Sequence, residues 1–367
     1  MTDDIRYSLA FSMLKNINLD IANQLLLHIG EEKALFTMEP SALSAIGRLP
    51  ESITDENYRE SLLKRAKEEE RFIIANDIHP LYFSESVYPS RLLNCNDAPV
   101  MLYKLGDLNL DARHVISIVG TRRATHYGIE MTNRIVRQLA DTLDDVIIVS
   151  GLAYGIDVAA HKAALDCNIP TVAVTAQPLN TIYPADHRGV AVKILREGGA
   201  ILTEYSTSHE VHRANFLARN RIIAGLSDVT IVVESDSKGG SLVTAALAGE
   251  YDREVYAVPG RLTDKYSQGT LNLIASNRAH PYISVEDLIS EMRWEPKPQV
   301  GEQQTLPIDM KPEEKMIYDF LMENPASREN EIMLATGIPA ASLKDFLFGM
   351  ELKDMIMSIA GGKYTAL

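Results

Sequence analysis

Val115-Ile116-Ser117-Ile118-Val119-Gly120-Thr121-Arg122-Arg123-Ala124-Thr125 reads as a buried strand that breaks at a glycine and hands over to a helix near Tyr127-Gly128. Four of its first five residues are β-branched and apolar, which suits a strand covered on both faces, as in a parallel sheet. Similar runs recur at 146–149, 170–175, 200–203, 229–234 and 255–258. Between them, helical patterns lie near 127–143, 157–166, 186–197, 214–225, 240–252 and 269–276. Strands alternating with helices predict an α/β domain with a doubly wound, mostly parallel sheet.

Working outward, residues 5–50 read as short amphipathic helices. Leu9, Met13 and Leu14 share one face, Leu25, Leu26 and Ile29 another, and Pro40-Ser41-Ala42 marks a helix start. Residues 57–74 form a charged helix in which Lys67-Glu68-Glu69-Glu70-Arg71 is expected to be a solvated face. The turn-rich, aromatic stretch 78–110 reads as a connector. On the other side, 295–312 is proline-rich and is expected to be an extended, mobile linker. Helices at 313–323, 328–336 and 341–353, then a hairpin around Gly361-Gly362, suggest a winged-helix module. The expected domains are 1–75 (helical), 76–290 (α/β), a linker at 291–311 and the C-terminal module at 312–367.

Composition narrows the class. The chain has 367 residues, 46% hydrophobic and 23% charged, as in ordinary globular proteins. Two cysteines, Cys95 and Cys167, cannot build a disulfide framework or a CxxC metal site. The opening Thr2-Asp3-Asp4-Ile5-Arg6 lacks the basic start of a signal peptide, and no run of about 18 apolar residues occurs. A cytoplasmic protein without a membrane span is expected. The net charge of −14 is unevenly spread: −7 over 1–112, zero over 113–284 and −7 over 285–367. The neutral middle third can carry a local basic groove between flanks that repel polyanions.

The strand exit decides the chemistry. In doubly wound sheets ligands bind beyond the carboxyl ends of the strands. A dinucleotide site would want Gly-x-Gly-x-x-Gly there, with an acid after the second strand. Here stand Gly120-Thr121-Arg122 and Ser150-Gly151, so NAD is excluded in favour of phosphate, which a guanidinium beside helix N–H groups grips well. Two more phosphate-sized turns follow later strands. One is Ser150-Gly151-Leu152-Ala153-Tyr154-Gly155-Ile156-Asp157, entering a helix with His161 and Lys162; the other is Ser237-Lys238-Gly239-Gly240-Ser241. Neither is a Walker A loop. Three such turns with Arg122 and Lys162 suggest a row of phosphates. In Arg213-Ala214-Asn215-Phe216-Leu217-Ala218-Arg219-Asn220-Arg221, the residues Arg213, Phe216 and Asn220 fall at i, i+3 and i+7. One helix face would then offer a cation, a ring and an amide, able to hold a phosphate and stack a base; the competing reading makes Phe216 core. No metal-ligand spacing and no Gly-x-Ser-x-Gly elbow is present.

Together these stretches resemble the DprA/Smf family of DNA-processing proteins. The likeness rests on Ser117-Ile118-Val119-Gly120-Thr121-Arg122, on Ser150 to Leu165, on Asn215 to Ser227, and on Glu234, Gly239-Gly240-Ser241-Leu242 and Val258-Pro259-Gly260. Upstream, Tyr88-Pro89, Leu92, Pro99-Val100, Leu102-Tyr103 and Gly106 join it. The resemblance implies a Rossmann-like domain that binds single-stranded DNA, forms a homodimer and loads the RecA recombinase during natural transformation, without catalysis or cofactor. It also implies an N-terminal helix-hairpin-helix (SAM-like) domain and a C-terminal winged helix. A single-stranded-DNA-binding protein is a further partner in keeping with it.

By position, the resemblance puts Arg122 and Lys162 on phosphates and Arg213, Phe216 and Asn220 in the nucleotide groove. The DNA-binding set expected is Gly120, Thr121, Arg122, Ser150, Gly151, Lys162, Arg213, Asn215, Phe216, Arg219, Asn220, Gly239, Gly240 and Ser241. The N-terminal turn Lys15-Asn16-Ile17-Asn18-Leu19-Asp20 lacks the glycines of a DNA-binding hairpin. From Pro312 onward there are five Lys+Arg against nine Asp+Glu, which favours a protein contact over duplex reading. The apolar segment Gly269-Thr270-Leu271-Asn272-Leu273-Ile274 is a candidate dimer contact. The alternative is an enzyme, a nucleoside-monophosphate phosphoribohydrolase of the lysine-decarboxylase-like family. That family's loop would require a glutamate where Ala246 or Leu247 stands.

Overall fold

The computed structural model describes residues 4–45, 51–297, 310–353, 355–359 and 362–366. The chain divides into two compact units, 1–297 and 298–367. The first is built on a nine-stranded sheet: β1 (Ile78–Tyr82), β2 (Met101–Leu105), β3 (His114–Val119), β4 (Val146–Ser150), β5 (Thr171–Val174), β6 (Ala200–Thr203), β7 (Val229–Val232), β8 (Glu254–Ala257) and β9 (His280–Pro281). Their order across the sheet is β1-β2-β6-β5-β4-β3-β7-β8-β9. From β6 to β9 every neighbour is parallel, while β2 runs antiparallel to β6 and β1 antiparallel to β2. The expected mixed α/β architecture with a mostly parallel sheet is therefore the observed one.

The central strands β3 to β7 are buried along their length and mostly apolar because helices cover both faces. Val115 and Val119 pack into one layer, Ile116 and Ile118 into the other. The covering helices follow their strands: His126–Thr142, Ile156–Asp166, Arg188–Arg196, the pair Arg213–Ala218 and Asn220–Leu226, Ser241–Glu250, Gln268–Ala275 and Val285–Met292. From β3 the chain adds β4, β5 and β6 to one side, then returns to place β7 on the other. This reversal leaves a crevice at the carboxyl ends of β3 and β7.

The stretch 78–110 departs from the connector expected. It supplies β1 and β2, which extend the sheet beyond β6. Pro80 sits in the outermost strand, where a missing N–H costs no ladder bond. That proline hid the strand signal. Past the α/β helices the chain stays packed through Lys297, whose N–H donates to the Thr142 carbonyl at 2.7 Å. The rest of the expected linker, 298–309, lies outside the described residues.

The N-terminal part folds as helices Asp4–Ser12, Leu19–Ile29, Glu32–Thr37, Pro40–Ala45, Glu51–Thr54 and Glu56–Ala75. Between the first two, Asn16 takes the left-handed backbone region (φ 60°), and Asn18 caps the second helix by accepting from Ile21 N–H. The long helix differs from expectation within its charged run, where Glu70 is half-buried against Arg6. Glu69 is buried (3% exposed) rather than solvated, and it accepts hydrogen bonds from Thr207. The second unit holds helices Pro312–Glu323, Glu329–Thr336 and Ala340–Leu352 and strands β10 (Ser327–Arg328), β11 (Ile356–Ile359) and β12 (Lys363–Ala366), ordered β10-β12-β11. Its core gathers Ile317, Leu321, Ile332, Leu343, Leu347 and Met350. Gly361, in the expected hairpin turn, lies outside the described residues. Among the described residues, no single helix is long and apolar enough to cross a membrane.

Candidate functional site

Four segments meet at the crevice between β3 and β7: residues 120–122, the turn and helix start at 153–157, the paired helices at 213–223, and 236–244 after β7. They enclose a cleft of about 400 Å³. Backbone fit fixes the meeting. Thr121 N–H donates to the Glu234 carbonyl at 2.7 Å, and Ile156 N–H donates to the Thr121 carbonyl at 3.2 Å. Gly155 (φ 78°) lets the second turn lie against the first, since a Cβ there would overlap the Thr121 carbonyl.

Arg122 is exposed, with its guanidinium carbon 5.5 Å from the centroid of the Phe216 ring. Phe216 is half-buried and meets Tyr183 edge-on at 5.4 Å, so it belongs to the cleft wall and not to the core. Arg213 and Asn220 line the same cleft, so the predicted face of Arg213, Phe216 and Asn220 is brought together. Asn220 donates to the Gly240 carbonyl at 3.4 Å, tying that face to the turn after β7. Gly120, Thr121, Arg219, Gly239, Gly240 and Ser241 also border the cleft. At Gly239 a Cβ would displace the Ser235 hydroxyl.

The floor of the cleft carries two neighbouring buried charged side chains. Arg219 is 3% exposed and donates to the carbonyls of Gly151 (2.7 Å) and Val174, with Nε reaching Asn220 at 3.3 Å. Asp157, 7% exposed, lies beside it; a Cβ on Gly151 would stand 2.5 Å from both Arg219 Nη1 and Asp157 Oδ2. Burial pushes the Asp157 carboxyl up, while Arg219 and the N–H groups of Ala153 and Gly151 pull it down. Burial likewise lowers Arg219, and Asp157 opposes this. Arg219 is therefore a structural cation that shapes the floor, already committed to carbonyl oxygens.

Several expectations are corrected. The helix N-terminus at Tyr127-Gly128, read as a phosphate seat, is occupied by Glu234 from the end of β7. Its carboxylate accepts from Thr125 N–H (2.9 Å) and Thr125 hydroxyl (2.5 Å), filling the place an external anion would take. Ser150 is fully buried and donates to the Ile118 carbonyl at 2.6 Å. Asn215 is buried and reaches the carbonyls of Ala176 (3.4 Å) and Glu210 (3.5 Å). Lys162 is exposed five residues past Asp157 and does not border the cleft. Gly151 borders a smaller slot beside it, shared with Arg122, Tyr183 and Phe216.

Sequence reasoning also missed wall residues. Tyr183 and Asp236 line the cleft. Both sit in loops after strands β5 and β7, so their place at the carboxyl edge was the available signal. His161, beside Lys162, is fully buried and structural. Its Nε2 accepts from Leu152 N–H at 3.3 Å, and its Nδ1 lies 2.7 Å from the Thr171 hydroxyl, which itself donates to the Ile148 carbonyl. The ring is therefore neutral with the proton on Nδ1, and burial lowers its pKa to about 3.

Residues 79–293 match the model of the family described as DNA recombination-mediator protein A. Protein Smf of Synechocystis is 32% identical over 314 residues, covering 76% of this chain and 77% of the relative. DNA processing protein DprA of Bacillus subtilis is 37% identical over 216 residues, covering 59% of this chain and 71% of the relative. The Streptococcus pneumoniae DprA crystal structure superposes with a TM-score of 0.65 at 28% identity, covering 79% of this chain and 98% of that one. The DNA processing protein A of Helicobacter pylori, a structure described for its unique single-stranded DNA binding mode, gives 0.52 at 33% identity, covering 59% and 95%. With a family model spanning more than half the chain, and a relative 32% identical over 76% of it, the chain belongs to the DprA/Smf family.

Proposed function

We propose that this chain is a non-catalytic recombination mediator of the cytoplasm. It binds single-stranded DNA in the β3–β7 cleft, protects incoming strands and loads RecA on them during natural transformation. The observation that carries the reading is Arg122 stacked over Phe216 at the carboxyl edge of the sheet. A cation and a ring side by side suit a backbone phosphate and its unstacked base, which a duplex does not offer. Arg213, exposed on the same wall, supplies a second phosphate contact. The glycine turn 239–241 lets a strand approach the backbone closely. The single-stranded DNA binding described for the Helicobacter pylori relative supports the same partner.

In this reading, residues 76–290 are the DNA-binding and dimerising domain. The segment 269–274 only partly serves assembly, because Leu273 is buried in the chain's own core. Residues 312–367 form a winged helix that contacts protein and not duplex DNA, in keeping with its acidity. The experiment is fluorescence anisotropy with an unstructured oligonucleotide and its duplex, paired with RecA filament formation on an oligonucleotide coated with single-stranded-DNA-binding protein. Tighter single-strand binding and faster filament growth are expected. Equal affinity for duplex, or release of a free base from nucleotides, contradicts the proposal.

A further inference from the structure

The loop between β6 and the helix Arg213–Ala218 is held at three points. Glu204 pairs with Arg221, Thr207 is held by Glu69, and the Glu210 carbonyl accepts from Asn215. The first and third bonds stay within the α/β domain. The second comes from the N-terminal helix Glu56–Ala75. Glu69 accepts from Thr207 N–H at 2.8 Å and from the Thr207 hydroxyl, and one turn earlier Arg65 donates to Ser208 Oγ at 3.0 and 3.2 Å. The helix is itself fixed: Leu62, Ala66 and Ile73 are buried, and Arg6 grips Glu70 at 2.8 and 2.9 Å.

We propose that Glu69 is a positioning residue for the cleft: by holding Thr207, it sets where Arg213 and Phe216, six and nine residues later, stand against the DNA. This rests on the single-strand reading above. A carboxylate is costly to bury, and here it is satisfied by a loop and not by the helix's own neighbours. Removing it frees two donors and leaves the loop's middle held only by Arg65 on Ser208, while its two ends stay tied to Arg221 and Asn215. The N-terminal helices, whose hairpin turn lacks glycine, thereby act on DNA through the cleft wall and not by touching DNA themselves.

The test is a double-mutant cycle in the full-length chain, read by anisotropy with an unstructured oligonucleotide. Glu69→Ala is expected to weaken binding about tenfold, within the range of coupling energies for residues in one network. In the Arg213→Ala/Phe216→Ala background the same change is expected to cost less than about twofold, because the positioned groups are gone. Glu69→Gln, which keeps an acceptor for Thr207 N–H, should restore most of the affinity. Thr207→Val removes the hydroxyl from the other side of the contact and serves if Glu69→Ala does not fold. An equal loss in both backgrounds, or no loss in the wild-type background, overturns the proposal. Failure of the wild-type chain to bind the oligonucleotide at all overturns the cleft reading first, and is seen before any variant is made.

Discussion

The Glu234 carboxylate accepts both the N–H and the hydroxyl of Thr125, so an acid just past β7 holds the residue whose hydroxyl oxygen caps the helix that follows β3 by accepting from Gly128 N–H. The bond ties the two strands on either side of the sheet's reversal, and it closes off a helix N-terminus that would otherwise draw a phosphate. In the proposed reading, the charge that meets DNA is left to side chains of the cleft, above all Arg122 and Arg213.

Gly128 makes that cap possible, and its replacement is a test of sign. Within a helix, Gly→Ala ordinarily gains about 1 kcal/mol from propensity. Here the new Cβ would overlap the buried Glu234 carboxylate. Gly128→Ala is therefore expected to lower stability by about 1–3 kcal/mol, the usual cost of overpacking, as read by urea denaturation. An increase in midpoint would mean the carboxylate is free to move.

Phe216→Ala separates a wall residue from a core one. Loss of a stacked base should weaken single-strand binding by about 1–3 kcal/mol with no change in salt dependence. Because the ring is half-buried, the unfolding free energy should drop by less than the roughly 3–5 kcal/mol typical of a core phenylalanine. Global unfolding of the variant would return Phe216 to the core.

Lys162→Ala is expected to leave single-strand affinity and its salt slope unchanged. The side chain is exposed, yet the cleft lies at the helix's start, where Asp157 stands. A tenfold loss measured by anisotropy would show that DNA runs along this helix.

His161 makes stability depend on pH. Its folded pKa of about 3 lies below the ordinary histidine value, so between about pH 6.5 and 3 the unfolded chain binds a proton that the native chain refuses. This contribution is full above pH 6.5 and is lost as pH falls, at about 1.4 kcal/mol per pH unit. Denaturant midpoints of wild type and His161→Gln, compared from pH 7 to 4, should converge with acidification. Parallel curves would show that this ring titrates normally.

The α/β architecture was legible because its strands are short, continuous and β-branched, and because each hands over to a helix. The shared face of Arg213, Phe216 and Asn220 was legible for a similar reason: helical spacing survives into the structure. What periodicity cannot carry is pairing between distant segments. Nothing local to Glu234 says that it holds Thr125, and nothing in Lys67-Glu68-Glu69-Glu70-Arg71 singles out the one acid that turns inward to Thr207. Ser150 and Asn215 were misread in the same way. Polar residues in a motif look like ligand contacts, whereas here they satisfy buried carbonyls of their own chain. Strands β1 and β2 escaped notice because an edge proline interrupts one and the other, Met101-Leu102-Tyr103-Lys104-Leu105, has no β-branched residue.

The central claim is that Arg122 neutralises a phosphate of a single strand, and the salt dependence of binding tests it most directly. Anisotropy of wild type and Arg122→Ala with an unstructured oligonucleotide, over a series of salt concentrations, yields the slope of log K against log salt for each. The account predicts weaker binding for every sequence and a slope shallower by about 0.7, the value of one phosphate contact on a single strand. An Arg122→Ala variant that binds with wild-type affinity and an unchanged slope would contradict it and place the DNA elsewhere on the molecule.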